Sequence, residues 1–382
     1  MRTISLYQPD KLTFGVEALQ VFTDDFLATG YRSLFVVTAP PIIPLITPTL
    51  NKFKSGGIKV EVYDKIRHEP TVRDLEQILI LAESAKTDSV VGIGGGSVLD
   101  VAKLVAAKLY NPQPVGELFG IGNLKGRSVY MACLPTTSGT GSEVSPNAIL
   151  LDESDSMKKG IVSPYLVPDA SYVDPMLTVG LPPKFTAETG LDALCHCVEA
   201  YTNKFAHPII DLYALEGIRL IANNLLAAVK DGKNIDARTN LSLGSLYGGL
   251  CLGPVNTSAV HALSYPLGGE YHVAHGLANA ILLPAVFAFN MDSDTKKHAN
   301  VAIAMGAEPK GSDLEIAEKG AELLRKLSVD CGIPSKLSDL GIDASKVDEL
   351  AGKGMGVTRL LKNNPKEFTL EDAKQIYKSL FQ

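Results

Sequence analysis

Long apolar runs are missing from this chain of 382 residues. No uninterrupted apolar stretch reaches the roughly 18 residues that a membrane-spanning helix needs. The most apolar stretch, residues 241–255, is interrupted by glycine and serine. The first ten residues also lack the apolar core of a secretory signal peptide. We therefore expect no membrane span and a cytoplasmic protein.

Basic runs are missing as well. The chain has 36 Lys and Arg against 42 Asp and Glu, which gives a net charge of −6. Proteins that bind nucleic acid usually carry a basic face. The charge balance therefore argues against a nucleic-acid partner, and we expect the partner to be a small molecule.

Cysteine is scarce, with five residues in the chain. All five lie in apolar segments, which favours reduced, buried thiols of the cytoplasmic kind. Cys195 and Cys197 flank His196, an arrangement that suggests metal binding. On a helix, however, adjacent side chains point about 100° apart. We therefore expect both cysteines to pack in the core.

The chain is long enough for two domains. Its first half alternates apolar strand-like runs, at 34–38, 60–63, 90–93 and 129–134, with helical patterns at 72–86 and 99–109. Such alternation is typical of a parallel sheet with helices on both faces. We therefore predict an α/β domain over residues 1–183.

The pattern changes at Pro182 and Pro183, a natural hinge. Beyond them it is helical nearly throughout, and we predict an all-α domain over residues 184–382. The predicted helices span residues 185–201, 208–230, 237–249, 274–289, 313–331 and 370–380. Thr369, followed by Asp372, resembles a capping box at the start of the last helix.

The most informative residues are one aspartate and three histidines. Asp192 and His196 are four positions apart, so a helix would place them on one face, one turn from each other. His261 and His275 follow later in the chain. One carboxylate and three imidazoles form a nitrogen and oxygen ligand set suited to divalent iron or zinc.

Two segments of the first half are typical of phosphate binding. Residues 91–100 run from a strand through Gly94, Gly95 and Gly96 into a helix, where free backbone N–H groups attract a phosphate. The alternative is a tight turn without a ligand. Residues 135–143 form a second loop, rich in glycine and hydroxyl groups, after the next strand. Together, the loops suggest a dinucleotide at the edge of the sheet.

These motifs resemble those of the iron-dependent, or group III, alcohol dehydrogenases, and most closely the 4-hydroxybutyrate dehydrogenase and lactaldehyde reductase-like branches. The resemblance covers essentially the whole chain and rests on segments 94–103, 135–143, 190–196 and 261–284. It implies a dehydroquinate synthase-like scaffold: an α/β N-terminal dinucleotide-binding domain with a parallel sheet, then an all-α C-terminal metal-binding domain.

The resemblance also implies roles for individual residues. The implied metal ligands are Asp192, His196, His261 and His275. The residues implied to bind the cofactor are Gly94, Gly95, Gly96, Ser97, Asp100, Thr136, Thr137, Ser138, Thr140, Lys158 and Lys159. Among these, Gly95, Gly96 and Ser97 would contact the pyrophosphate, Thr137 and Thr140 would lie beside the nicotinamide, and one of the two lysines would touch a ribose.

The chain departs from the family pattern in the catalytic region. Four residues after His261 the family often has a histidine near the nicotinamide, whereas this chain has Tyr265. Tyr265 and His272 are the candidate catalytic residues, and a surface position for His272 is an equal alternative. The remaining histidines, 68, 207 and 298, lack such a context, and we expect them to be exposed to solvent.

The preference between NAD and NADP stays open. NAD-preferring relatives often carry a carboxylate after the second strand, where it repels a 2′-phosphate. Residues 37–41 contain no carboxylate, so this barrier to NADP is missing. Glu69-Pro70, which stands where the family usually has Asn-Pro, affects the same region of the cofactor.

The sequence thus predicts a metal-dependent NAD(P) oxidoreductase, with Fe²⁺ or zinc, that interconverts a small primary alcohol and its aldehyde. The substrate class includes diols and ω-hydroxy acids, and the family resemblance suggests a homodimer or larger homo-oligomer. The alternatives are a metal-free reductase of the maleylacetate type and a lyase similar to dehydroquinate synthase on the same scaffold.

Overall fold

The computed structural model describes residues 2–67, 69–154 and 157–382. The chain divides into two compact units. One unit, called here the sheet unit, comprises the described residues of 6–137 and 141–180. The other, called the helical unit, comprises residues 2–5, 138–140 and 181–382. The loop over residues 135–143 therefore begins and ends in the sheet unit and has its middle in the helical unit.

The sheet unit contains all of the strands among the described residues. The strands are β1 (Lys11–Phe14), β2 (Ser33–Thr38), β3 (Lys59–Tyr63), β4 (Ser89–Gly94), β5 (Gly120–Ile121), β6 (Tyr130–Pro135), β7 (Asn147–Asp152), β8 (Met157–Val162) and β9 (Ala170–Val173). The helices of this unit are α1 (Ala18–Leu27), α2 (Ile43–Ser55), α3 (Val72–Ser84) and α4 (Gly96–Lys108).

Six parallel strands form the main sheet, in the order β1-β9-β6-β4-β2-β3. Alternate residues of the central strands point to opposite faces, and both faces are buried. Phe35 and Val90 belong to the apolar core on one face, and Leu34 and Val91 belong to the core on the other. The predicted parallel sheet with helices on both faces is therefore confirmed.

A smaller sheet of the order β5-β8-β7 was not predicted. β7 and β8 form an antiparallel pair in which Leu151 lies opposite Lys158 and Leu150 opposite Lys159. The two lysines interrupt the apolar alternation by which strands are identified in a sequence. This explains why the pattern did not reveal the sheet.

The helical unit contains ten helices among the described residues. They are α5 (Pro183–Thr202), α6 (Pro208–Lys230), α7 (Ile235–Cys251), α8 (Ala259–Tyr271), α9 (His275–Asn290), α10 (Thr295–Ala304), α11 (Asp313–Asp330), α12 (Val347–Met355), α13 (Thr358–Leu361) and α14 (Leu370–Ser379). α5 is buried along most of its length and packs against α6, α7 and α9. Six of these helices match predicted ones, and the capping box of α14 forms between Thr369 and Asp372.

Four helices, α8, α10, α12 and α13, were not predicted. α8 is the important omission because it carries His261. Pro266, Gly268 and Gly269 lie inside it, and these residue types normally indicate a break in a helix. Burial of most of its first nine residues shows that packing holds the helix together despite the local preference.

α6 is long and apolar enough to cross a membrane by length and composition alone. In the helical unit it packs against α5 and α7, with Ile210, Ile218 and Leu225 buried. Its apolar face is therefore used as a core face.

Candidate active site

Three helices of the helical unit bring the predicted metal ligands together. Asp192 and His196 lie one turn apart on α5, His261 lies near the start of α8, and His275 is the first residue of α9. Asp192 Oδ1 is 3.8 Å from His196 Nε2, 3.6 Å from His261 Nε2 and 3.7 Å from His275 Nε2. One nitrogen of each of the three imidazoles thus lies 3.6–3.8 Å from the same carboxylate oxygen.

The close approach of α9 to α5 depends on Gly276. A Cβ atom at this position would lie 2.4 Å from the backbone oxygen of Glu188 on α5. Only glycine therefore lets the first turn of α9 come this close. The same contact places His275, the residue before Gly276, on the side of α5 that carries Asp192.

These residues fit a divalent metal ion. Ligand atoms about 2.1 Å from a tetrahedral metal lie about 3.4 Å from each other, close to the spacings around Asp192 Oδ1. The ligand atoms of Asp192, His261 and His275 all lie within 4.8 Å of one another. His196 and His261 stack, with ring centroids 4.8 Å apart. A buried carboxylate surrounded by imidazoles is the donor set of an iron or zinc site.

Exposure differs strongly within the set. The side chains of Asp192, His196 and His261 are 3–5% exposed, whereas that of His275 is 32% exposed. The cluster is therefore accessible from the His275 side. Tyr265 lies on this side, with its ring centroid 6.3 Å from that of His275.

Glu199, which the sequence analysis missed, binds the His261 ring at Nδ1, the nitrogen that does not face Asp192. Its Oε2 accepts a hydrogen bond from His261 Nδ1 at 2.6 Å, and its Oε1 accepts from Ser258 Oγ and from the Val260 backbone N–H. A proton on Nδ1 leaves the Nε2 lone pair directed at the cluster. Glu199 lies seven positions after Asp192 on α5, so the spacing of 192, 196 and 199 already indicated a shared helix face.

Asn279 is the second residue that the sequence analysis missed. It lies one turn after His275 on α9 and is fully buried. Its Nδ2 donates to Asp192 Oδ1 at 2.7 Å and lies 3.1 Å from His261 Nε2 and 3.2 Å from His275 Nε2. Asn279 therefore fixes the orientation of the aspartate.

The charges within the cluster shift its titration. Burial by itself would raise the pKa of Asp192, but the imidazoles of His196, His275 and His261 lower it below its ordinary value. Burial lowers the pKa of His196. Burial also opposes a charge on His261, but Glu199 and Asp192 raise its pKa to about 9. The carboxylate is thus ionised, as metal binding requires. His261, by contrast, is protonated on both nitrogens at neutral pH without a metal, so it must release the Nε2 proton to act as a ligand.

His272 lies where α8 ends and the chain turns toward α9. It ends α8 in the left-handed conformation, with φ of 54°, and its side chain is exposed. The chain turns there toward α9, which begins three residues later.

Two histidines outside the cluster are buried rather than exposed, so the expectation for them was wrong. His207 caps α6 and accepts a hydrogen bond from the Ile209 backbone N–H. His298 lies edge-on against Phe287, with ring centroids 4.8 Å apart. His68 lies outside the described residues.

The five cysteines are free and buried, as expected. Burial raises the pKa of the Cys197 thiol to about 12, which leaves it protonated and unreactive. The Cys195 thiol, whose pKa burial also raises, lies 3.8 Å from Glu199 Oε2 and from His261 Nδ1, behind the ligand set.

The glycine-rich segment of the sheet unit forms the turn from β4 into α4. Gly94 ends β4, Gly95 caps α4 and Gly96 begins it. A Cβ atom on Gly94 would lie 2.6 Å from the Val98 side chain, and one on Gly95 would lie 3.4 Å from Thr137. The two predicted cofactor loops therefore touch within the sheet unit. The backbone N–H of Thr136 also donates to the Gly94 carbonyl oxygen.

The middle of the second loop is held by the helical unit. Ser138 Oγ lies 3.1 Å from Ser242 Oγ of α7. A Cβ atom on Gly139 would lie 2.9 Å from Thr189, which is one turn before Asp192 on α5. Residues 138–140, which include Thr140, therefore run along the helix that carries two of the predicted ligands.

Three other predicted cofactor residues already have partners in the chain. Lys158 Nζ pairs with Glu69 at 2.9 Å, and Lys159 Nζ pairs with Asp152 at 2.6 Å. Both oxygens of Asp100 accept hydrogen bonds from the protein, one from Ser142 and one from Ile149. Contact of these three residues with a cofactor stays a prediction.

A parallel α/β unit together with a helical unit that gathers one carboxylate and three imidazoles is the arrangement expected of a metal-dependent enzyme. Two family models match the chain: iron-containing alcohol dehydrogenase over residues 9–175, and the C-terminal part of the Fe-containing alcohol dehydrogenase family over residues 186–381. The chain belongs to the iron-containing alcohol dehydrogenase family.

Known proteins match over nearly the full length. The chain is 36% identical to long-chain-alcohol dehydrogenase 1 of Geobacillus thermodenitrificans, covering 96% of this chain and 94% of that protein. It is 32% identical to lactaldehyde reductase of Escherichia coli K12, covering 95% and 96%. The structure of a 1,3-propanediol oxidoreductase superposes with a TM-score of 0.96 at 32% identity over all of both chains.

A fourth match is the sulfoacetaldehyde reductase of Bifidobacterium kashiwanohense in complex with NAD⁺, with a TM-score of 0.88, 27% identity and coverage of 100% and 99%. The predicted enzyme class, an oxidoreductase that interconverts alcohols and aldehydes, is confirmed by the family. The predicted cofactors, iron and a nicotinamide dinucleotide, agree with the family description and with this complex.

Proposed function

We propose that this protein transfers a hydride between a small primary alcohol and NAD(P), with iron or zinc held by Asp192, His196, His261 and His275. The observation that carries the proposal is the convergence of these four side chains, with only the His275 side open to solvent. A bound divalent metal with an open coordination position acts as a Lewis acid on the substrate oxygen.

The protein's own residues prepare this site. Glu199 keeps the proton of His261 on Nδ1, and Asn279 orients Asp192. The three buried ligand side chains exclude water from their side of the cluster. Substrate therefore enters beside His275 and Tyr265, where one side of the cluster is exposed.

Tyr265 is proposed as the residue that contacts the substrate. Its ring lies beside that of His275 and is partly exposed. A phenolic hydroxyl can donate to or accept from an alcohol oxygen. His272, exposed at the end of α8, is proposed as a proton relay only at the outer edge of this region.

The cofactor is proposed to bind in the sheet unit. Gly94, Gly95, Gly96 and Ser97 bring the backbone and the N-terminus of α4 to the pyrophosphate. Thr136, Thr137, Ser138 and Thr140 then lie toward the nicotinamide. We propose that residues 1–183 act as the dinucleotide-binding domain and residues 184–382 as the metal and substrate domain. Support comes from the NAD⁺ complex of the Bifidobacterium relative.

The substrate class is proposed to be a short primary alcohol, diol or ω-hydroxy acid and the corresponding aldehyde. Support comes from relatives named lactaldehyde reductase and 1,3-propanediol dehydrogenase, each matched over at least 95% of this chain. We also propose a homo-oligomer, with a dimer as the smallest form, and a cytoplasmic location.

A screen of small alcohols, diols and ω-hydroxy acids with NAD⁺ and NADP⁺ tests this function, with iron or zinc added to metal-free protein. We expect formation of NAD(P)H that depends on alcohol and metal. A lyase similar to dehydroquinate synthase would yield no net NADH. A metal-free reductase of the maleylacetate type would need no added metal, so either outcome would replace the proposal.

A further inference from the structure

Two residues of opposite charge that share a hydrogen-bond partner lie in the sheet unit, on the helix that follows the glycine-rich turn. Asp100 and Lys103 lie three positions apart on α4, and Lys103 is completely buried. Ser142 Oγ donates to Asp100 Oδ1 at 2.5 Å and lies 3.1 Å from Lys103 Nζ. One hydroxyl therefore contacts both charges.

Both side chains are also hydrogen-bonded to the backbone at the end of the second loop and immediately after it. Lys103 Nζ donates to the carbonyl oxygens of Ser142, Ser145 and Asn147. Asp100 Oδ2 accepts from the Ile149 backbone N–H at 2.9 Å. Five atoms of segment 142–149 are thereby hydrogen-bonded to Asp100 or Lys103 of α4.

Removing charged groups from water costs free energy, so we expect these two residues to serve a specific purpose. Burial raises the pKa of Asp100 and lowers that of Lys103, although each charge favours the other. Lys103 is fully buried and Asp100 is partly buried, and charges removed from water in this way are often no more stabilising than apolar side chains of similar volume. Their bonds are directional, however, and they fix the position of the attached backbone.

We propose that Asp100, Lys103 and Ser142 form a lock, called here the α4 lock, that sets the distance between the two cofactor loops. The turn at Gly94–Gly96 lies at the start of α4, and residues 135–143 end at the segment that α4 holds. Asp100 is then a positioning residue that acts through Ser142, since its oxygens are engaged within the protein. The inference rests on the proposed dinucleotide site.

Lys108 provides a matched control on the same helix. Its Nζ also donates to backbone carbonyl oxygens, those of Asn111 and Gln113, but at the opposite end of α4 from the glycines. Lys103→Met and Lys108→Met therefore remove the same charge and the same kind of bond. Ser142→Ala removes only the shared hydroxyl and keeps the protein testable if Lys103→Met does not fold.

The test measures the dissociation constants of NADH and NADPH by fluorescence in the full chain, together with steady-state kinetics. We expect Lys103→Met and Ser142→Ala to weaken dinucleotide binding about tenfold or more and to raise KM for the dinucleotide more than they lower kcat. Lys108→Met should keep the parent affinity. Metal affinity, which depends on the helical unit, should not change in any of the three.

Folded Ser142→Ala with parent affinity would overturn the α4 lock, as would equal losses in Lys103→Met and Lys108→Met. A parent protein that binds neither dinucleotide would instead overturn the proposed function and the inference with it. The two failures are therefore distinguishable in one set of measurements.

Discussion

At the scale of single residues, the proposed metal site depends on side chains that are not themselves proposed as ligands. Glu199 accepts hydrogen bonds from His261, Ser258 and Val260. Partners of this kind orient a ligand and hold its tautomer, and their loss typically weakens metal affinity about 10–100-fold.

Glu199→Gln should therefore bind zinc or iron about 10–100-fold more weakly than the parent, as measured by competition with a coloured chelator. Glu188→Gln is the matched control because Glu188 is a buried glutamate of the same helix that pairs with Lys184. Equal metal affinity in Glu199→Gln and the parent would contradict the role given to Glu199.

Glu143 in the second loop predicts a pH effect on stability. Burial raises its pKa from 4.5 to about 7, which favours the protonated form in the folded state. Glu143 therefore makes its full contribution to the free energy of unfolding below pH 4.5, which is its pKa in the unfolded chain. This contribution declines as the pH rises and is lost above about pH 7. The loss amounts to roughly 3 kcal/mol.

Thermal unfolding of the parent and of Glu143→Gln between pH 4.5 and 8 measures this effect. The glutamine variant lacks the titration, so its Tm should gain on that of the parent as the pH rises. Parallel Tm curves for the two proteins would show that Glu143 does not titrate in this range.

At the scale of elements, the turn from β4 into α4 requires glycine at position 94. A methyl group there would lie 2.6 Å from the Val98 side chain. Gly94→Ala should therefore destabilise the protein by about 1–3 kcal/mol, the usual cost of overpacking. Adding Val98→Ala removes the obstacle and should restore part of the loss in urea denaturation. If the double variant is no more stable than the sum of its single changes, the clash is not the cause.

The residues at the end of β2 predict how strongly the enzyme discriminates against the 2′-phosphate of NADP⁺. β2 ends at Thr38 and is followed by Ala39 and two prolines, without a carboxylate. Ala39→Asp places a negative charge where a 2′-phosphate of NADP would be repelled. It should lower kcat/KM for NADP⁺ relative to NAD⁺ by about tenfold. Ala39→Asn has nearly the same shape without the charge, and an equal ratio in both variants would refute the electrostatic explanation.

Elements differed in how well the sequence predicted them. The central strands were found because apolar runs identify strands buried on both faces. α8 was missed because Pro266 and two glycines mask its helical pattern. In the site, Asp192 and His196 share a helix, so their spacing predicted their proximity. The meeting with His261 and His275 depends on how α8 and α9 pack, which local patterns do not encode.

Glu199 and Asn279 could have been found from the same sequence. Glu199 continues the spacing of Asp192 and His196, and Asn279 follows His275 by one turn. They were overlooked because a glutamate or an asparagine within a helix is usually a surface residue. Only their burial distinguishes them.

At the scale of the whole molecule, we propose that one oxidoreductase chain binds the dinucleotide with residues 1–183 and the metal with residues 184–382. The family confirms the enzyme class. We propose that turnover depends on a metal held by Asp192, His196, His261 and His275.

The most direct test combines elemental analysis with turnover on the same samples. We predict one iron or zinc per chain, loss of both metal and NAD(P)H formation after chelation, and recovery of turnover in proportion to the Fe²⁺ or zinc added back. His275→Ala should retain its fold and lose both metal and turnover. Full turnover in protein that elemental analysis shows to be free of metal would contradict the account.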